Sequence, residues 1–174
     1  MSVSESPPPS CPLFQDMSLD ERHDVLARLV HESFPAGETI LREGLSTQML
    51  WIIVSGRCEV AKTMRDETEQ QLAVLESGAV FGEMSFFHAA PHSASVRALS
   101  EVEVMQLSRV HYDELEIACP SAAGKIMLNT LKVLSERLRR MDEWTAEFVQ
   151  RPETSRHYEE WRDFRAKLYS DWQF

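Results

Sequence analysis

The first apolar pattern in the chain has the spacing of a helix. Apolar residues recur three or four positions apart, which places them on one face of an α-helix. These residues are Val25, Leu26, Leu29 and Val30. Ser18 precedes them and Glu21 follows Ser18 by three positions, the arrangement of a capping box. The pattern predicts a first helix from about Leu19 to Val30.

From His31 to Ser108 the apolar residues form short runs separated by glycines and other turn residues. One run is apolar throughout and the next alternates between apolar and polar residues, as strands do. The predicted strands are Met49–Val54, Arg57–Val60, Leu72–Leu75, Ser95–Leu99 and Val102–Leu107. Many short strands at regular spacing are typical of a roll. The sequence therefore predicts an α+β fold, an antiparallel double-stranded β-roll of jelly-roll type, over residues 13–120.

Two helices are predicted after the roll. Val110 to Ala118 forms a short helix that ends before Pro120, and a long helix runs from about Ala122 to Phe148. The long helix carries a seam with strict three-four spacing. Its members are Met127, Leu131, Leu134, Leu138, Met141, Thr145 and Phe148. Such a seam predicts a homodimer through this helix, residues 121–150. The alternative is that the seam packs back onto its own roll.

The last segment, residues 151–174, has an aromatic face at helical spacing. The face consists of Tyr158, Trp161, Phe164, Leu168 and Trp172. This pattern predicts a C-terminal helix that covers an apolar patch of the roll. Two other roles stay open for residues 155–172, a lid over a ligand pocket and a docking face for a protein partner.

Composition and charge exclude several classes of protein. The chain has 174 residues, enough for one core, and 28 acidic against 18 basic side chains give a net charge of −10. A nucleic-acid binder is expected to be basic, so no nucleic-acid partner is predicted. The three cysteines show no paired spacing, which indicates neither disulfides nor zinc and favours the cytoplasm. Residues 1–12 have no signal-peptide pattern and are predicted to be a disordered tail; no membrane partner is expected.

The most informative segment runs from Val80 to Val96. It has the pattern of a strand end, a glycine, an acid, one helical turn, a loop and a second strand. Gly82 at the start of a helical turn lets a ligand approach bare backbone, and the N–H groups of the turn face an anion. Glu83 can accept a hydrogen bond from a sugar hydroxyl. A carboxylate beside a phosphate calls for a nearby cation, and His92 stands where that cation is expected.

Phe81-Gly82-Glu83 and Ser93-Ala94-Ser95-Val96 resemble the phosphate-binding cassette of the cyclic-nucleotide-binding domain family. The resemblance extends from about Leu13 to Leu138, through Phe34–Gly44, Trp51–Gly56 and Leu75–Gly78. The family includes catabolite-activator transcription factors, kinase regulatory subunits and gated channels. Transcription factors of the family carry a helix-turn-helix domain after the long helix. Residues 152–174 are too few for one, and their basic residues are offset by acidic ones.

The resemblance implies a site for a cyclic nucleotide such as cyclic AMP or cyclic GMP. The backbone from Gly82 to Met84 would hold the phosphate, Glu83 the ribose, and the segment from Ser93 to Ser95 the remaining oxygens. His92 replaces the family's arginine, so a charged two-pronged donor becomes a mostly neutral imidazole. By the same resemblance Arg137 would face the base, and whether Arg137 or Arg97 supplies the missing charge stays open. The predicted ligand-binding residues are Phe81, Gly82, Glu83, Met84, Ser85, His92, Ser93, Ala94, Ser95 and Arg137.

Two functional classes follow. The chain is a regulatory module that senses a cyclic nucleotide or a related phosphate-containing molecule, or it is a degenerate domain that serves dimerisation or partner docking. An enzyme is not predicted, since no nucleophile motif is present and Glu83 has no second carboxylate as partner. His88 and His92 alone do not make a metal site, so no metal or cofactor is expected.

Overall fold

The computed structural model describes Pro8, residues 10–64 and residues 66–149, with the side chains of residues 148 and 149 left out. The helical segments are a 3-10 turn at Pro12–Phe14, α1 (Leu19–Leu26), α2 (Glu83–His88), α3 (Arg109–Ala118) and α4 (Pro120–Val149). The strands are β1 (Val30–Phe34), β2 (Thr39–Leu41), β3 (Met49–Ser55), β4 (Arg57–Thr63), β5 (Glu69–Glu76), β6 (Val80–Phe81), β7 (Ser95–Ala98) and β8 (Val102–Ser108).

The strands form two antiparallel sheets. Their orders are β1-β8-β3-β6 and β2-β7-β4-β5. In the second sheet β4 pairs with the next strand β5 on one side, through Cys58 and Leu75, and with the distant β7 on the other, through Cys58 and Ala98. This arrangement confirms the predicted antiparallel roll with helices at its ends.

Strand β3 is covered on both faces, which explains the continuous apolar run from Met49 to Val54. Leu50 and Ile52 belong to a core that includes residues of α1, α3 and α4, whereas Trp51 and Ile53 belong to a second core shared with the other sheet. Alternate residues of a strand point to opposite faces. Both faces of β3 are therefore covered, and an alternating pattern would have left polar groups buried.

The capping box at Ser18 and Glu21 is confirmed, with hydrogen bonds in both directions. The predicted end of the first helix is wrong, because α1 ends at Leu26 and Val30 already belongs to β1. Val30 pairs with Gln106 of β8. This contact between distant parts of the chain overrides the local helical spacing of the apolar residues.

Glu21 also connects α1 to the first turns of α4. Its carboxylate accepts hydrogen bonds from Ser121 Oγ at 2.6 Å and from Lys125 Nζ at 2.7 Å. The Lys125 ammonium and the Ser121 hydroxyl lower the pKa of Glu21 to about 2. The start of α4 is thus fastened to the helix that precedes the roll.

The chain divides into two units, residues 1–130 and residues 131–174. The first contains the roll, α1 to α3 and the start of α4; the second, as far as it is described, is the remainder of α4. The predicted long helix is confirmed, and none of the described helices is long and apolar enough to cross a bilayer. The predicted aromatic helix of residues 151–174 lies outside the described residues.

The folded part of the chain begins earlier than predicted. Cys11, placed in the terminal tail, is only 5% exposed and packs in the core with Leu13 and Phe14. Its backbone N–H donates to the carbonyl of Pro8 at 2.9 Å. The apolar contacts of Cys11 hold this segment against the roll; residues 1–7 and 9 lie outside the described residues.

Candidate functional site

The turn between β6 and α2 is built around Gly82. Gly82 has a φ of +82°, a backbone conformation that residues with a Cβ rarely adopt. A Cβ at this position would lie 2.5 Å from Cε3 of Trp51 and 2.6 Å from the carbonyl oxygen of Met49. The close approach of β3 therefore requires glycine here, independently of any ligand.

The residues around Gly82 fall into a buried and an exposed set. Phe81 stacks on Trp51, with ring centroids 5.4 Å apart. Glu83 begins α2 and its side chain is buried, whereas Met84 is 57% exposed. The first N–H groups of a helix lack acceptors within the helix. The turn thus combines backbone N–H groups that lack acceptors within the helix with a buried carboxylate, at the position where the sequence predicted a phosphate cradle.

The His92 side chain is buried and bonded at both ring nitrogens. Nδ1 lies 2.7 Å from Ser85 Oγ, and Nε2 lies 2.6 Å from Thr47 Oγ1. The backbone N–H of Thr47 also donates to Nε2, at 3.3 Å. The backbone of His92 bonds to Gly44 and Leu45 in the same loop. His92 therefore joins the cassette to the loop between β2 and β3.

These contacts specify the protonation state of the ring. A backbone N–H can only donate, so Nε2 must accept, and the proton of a neutral imidazole is then on Nδ1, which donates to Ser85 Oγ. Burial also lowers the pKa of His92, because desolvation disfavours the imidazolium. His92 is consequently neutral here, with its hydrogen-bonding capacity used inside the protein.

The segment after His92 leads into β7, an inner strand of the second sheet. Ser95 Oγ accepts from the backbone N–H of Glu43 at 3.0 Å, which ties β7 to the same β2–β3 loop. Ser93 is exposed, and its Oγ is 3.9 Å from the sulfur of Met84 on α2. Ala94 is half-buried between them. The structure thus brings Ser93 next to the α2 side of the cassette, while the Ser95 hydroxyl has a structural partner.

Lys62 of β4 is a cassette neighbour that the sequence analysis missed. Its Nζ donates to the carbonyl of Ser93 at 2.6 Å and forms an ion pair with Glu43 at 3.0 Å. Lys62 continues the alternation of Cys58 and Val60 on β4, residues that belong to or pack against the core between the sheets. Strand alternation was the signal that could have placed Lys62 on the face that borders the cassette.

Arg97 and Arg137 are the two residues that could replace the positive charge of the family's arginine, and they lie in different parts of the fold. Arg97 lies on β7 between two buried residues, and its guanidinium pairs with Glu59 at 3.3 Å and Glu69 at 3.1 Å. Arg97 therefore lies on the outer face of the second sheet. Arg137 belongs to the unit that begins at residue 131, so its role beside the base stays a prediction.

No group of three or more His, Cys, Asp or Glu suited to a metal ion occurs among the described residues. Glu43 is far from the cassette in sequence, but its backbone N–H bonds to Ser95 Oγ, and its carboxylate has protein partners. Hydrogen bonds from the backbone N–H of Thr63 and from Lys62 lower the pKa of Glu43. The arrangement therefore offers backbone donors, hydroxyls, an acid and an ammonium group, a set suited to binding a polar ligand.

Comparison with known proteins identifies the same segment. Residues 31–116 match the model of the cyclic nucleotide-binding domain. The chain is 31% identical over 131 residues to the cyclic AMP receptor protein of Thermus thermophilus, covering 75% of this chain and 59% of that protein. It is 30% identical over 116 residues to a CRP-like cAMP-activated global transcriptional regulator of Mycobacterium tuberculosis, covering 67% of this chain and 50% of the regulator.

The fold agrees with this match. The crystal structure of a cyclic nucleotide-binding domain from Methylobacillus flagellatus superimposes with a TM-score of 0.69 at 28% identity, covering 73% of this chain and 71% of that one. The chain spans between half and three fifths of the length of the two curated relatives. The part of this chain from residue 31 to residue 116 belongs to the cyclic nucleotide-binding domain family.

Proposed function

We propose that this chain is a regulatory module that binds a cyclic nucleotide or a related phosphate ester and catalyses no reaction. The observation that carries the proposal is the turn at Gly82, where backbone in the left-handed conformation leads into α2 and the buried acid Glu83 follows at once. The Thermus relative is named a cyclic AMP receptor protein, which makes cyclic AMP the first ligand to test. A cytoplasmic location is part of this proposal.

In the proposed site the backbone of Gly82, Glu83 and Met84 contacts the phosphate. The Glu83 carboxylate accepts a ribose hydroxyl, and the exposed Ser93 with Ala94 contacts the remaining phosphate oxygens. His92 is neutral in this site and positions the cassette without contacting the ligand, because both of its ring nitrogens have protein partners. A lost hydrogen bond to a charged group weakens binding by about 1.5–3 kcal/mol, roughly ten- to a hundredfold in affinity. Binding is thus weakened relative to an arginine cassette but retained.

The second candidate function is a degenerate domain that binds no nucleotide and serves dimerisation or partner docking. The observation that favours it is the same His92, because its ring is turned inward where a phosphate ligand would need an outward donor. The exposed apolar side chains of α4 fit this candidate equally well. Those with the largest exposed fractions, 55–64%, are Met127, Leu131, Leu138, Met141 and Trp144.

A homodimer through α4 belongs to both candidates. Met127, Leu131, Leu138 and Met141 repeat at the predicted seam positions, and each is more than half exposed. Apolar stripes of this kind are stabilised when a second helix covers them. We propose that the partner helix is the same segment of a second copy, residues 122–148.

Calorimetric titration distinguishes the two candidates. The purified chain is titrated with cyclic AMP, cyclic GMP and a cyclic dinucleotide, and a saturable heat for one of them supports the sensor. Glu83→Gln should weaken that binding by about tenfold or more, because the neutral amide oxygen accepts a hydrogen bond more weakly than the charged carboxylate. Glu114→Gln, an exposed position on α3, is the matched control and should bind normally. Absence of binding across the panel by folded protein would favour the degenerate domain.

A further inference from the structure

Lys62 places an ammonium group beside the cassette. Its Nζ is 2.6 Å from the carbonyl oxygen of Ser93, the residue that follows His92. The Lys62 side chain is 42% exposed, although it emerges on the side of β4 that carries the buried Cys58. A long aliphatic stem with a hydrated head can change partners with little rearrangement of the strand.

The electrostatics of the cassette make a cation there necessary for an anionic ligand. Glu83 begins α2, the backbone N–H of Glu43 bonds to Ser95 at the end of the cassette, and the chain carries a net charge of −10. The His92 ring is neutral and internally bonded, and Arg97 is paired with two carboxylates on the outer face of the sheet. The position occupied by arginine in the family therefore supplies no positive charge in this chain.

We infer that Lys62 neutralises the phosphate of the bound ligand, in place of the arginine that His92 replaces; this inference rests on the proposed function. On binding, a phosphate oxygen takes the place of the Ser93 carbonyl as acceptor for Nζ. Glu43 stays close by, because its other carboxylate oxygen accepts from the backbone N–H of Thr63 at 2.9 Å. Glu43 thus competes with the ligand for Lys62 and sets the affinity.

The test measures cyclic AMP affinity by calorimetry for the full chain and for substituted chains. Lys62→Gln should weaken binding about ten- to a hundredfold, the effect of losing a charged hydrogen bond. Lys62→Arg should retain most of the affinity, since the charge is kept. Glu43→Gln should strengthen binding, because the competing charge is removed while the amide oxygen can still accept from Thr63. Arg97→Gln, which removes the same charge from the outer face, is the matched control.

The directions in which Lys62→Gln and Glu43→Gln change the affinity distinguish a charge role of Lys62 from a structural role. If the Lys62–Glu43 pair merely held the cassette in shape, Lys62→Gln and Glu43→Gln would weaken binding equally, and that result overturns the inference. Unchanged binding by Lys62→Gln also overturns it, and leaves the proposed function intact because the original chain still binds. If the original chain binds none of the nucleotides, both the proposed function and the role of Lys62 are wrong.

Discussion

Replacing His92 with glutamine tests whether this residue is neutral and serves to position the cassette. Glutamine keeps one donor and one acceptor for Ser85 and Thr47 but does not titrate. Because burial lowers the pKa of His92 in the folded chain, the unfolded chain binds its proton first as the pH falls. The stabilising effect of this residue is therefore complete above the ordinary histidine pKa of about 6.5 and decreases as the pH falls from there through the lowered pKa of the folded state.

The size of the effect follows from proton linkage. One proton taken up only by the unfolded chain changes the free energy of unfolding by at most about 1.4 kcal/mol per pH unit. Between pH 7.5 and pH 5.5 the integrated loss is at most about 1.4 kcal/mol, since uptake by the unfolded chain begins only near pH 6.5. Protonation would also place an N–H at Nε2 opposite the N–H of Thr47, which now donates to it at 3.3 Å.

The assay is urea denaturation of both proteins at half-unit pH intervals. The free energy of unfolding of the original chain should fall relative to His92→Gln on acidification, because only the original chain carries this titration. Ser93→Ala, a change at the exposed neighbour of His92, should reproduce the pH dependence of the original chain. If the free energy of unfolding has the same pH dependence in the original chain and in His92→Gln, or if the original chain gains stability relative to the variant at low pH, His92 is not neutral in the folded chain.

Two further predictions concern the turn and the long helix. Gly82→Ala should lower the free energy of unfolding, measured in urea, by about 2–5 kcal/mol, because backbone strain at positive φ and overpacking against β3 add. Gly37 also has a positive φ, but no atom lies near its Cβ, so Gly37→Ala should show only the effect of strain. Equal losses of stability for the two variants would contradict the packing argument. The double substitution Leu134→Glu and Leu138→Glu should yield monomers in sedimentation, because a dimer would bury the new charges in the seam. An original chain that sediments as a monomer at micromolar concentration would exclude the dimer.

Several elements could be predicted because their causes are local. The capping box of α1 uses residues three positions apart, the proline at position 120 limits α3, and the apolar run of β3 is long enough to identify a strand covered on both faces. The turn at Gly82 belongs to this group as well. Its residues are contiguous, so glycine followed by an acid and a helical turn can be recognised in the sequence, whereas the positive φ of Gly82 is seen only in the structure.

Contacts between distant residues decided the rest. Val30 joins a strand rather than a helix because its partner is Gln106, far along the chain. The acceptor role of the His92 Nε2 depends on Thr47, in a loop 45 residues earlier, so the neutral state of the ring has no local signal. Lys62 reaches Ser93 across 31 residues. The sequence by itself determined which segments form the roll and the cassette, because helix, strand and turn preferences depend on neighbouring residues. Only the tertiary structure decided which cation borders the cassette, because electrostatic contacts depend on distances that the packing of the two sheets creates.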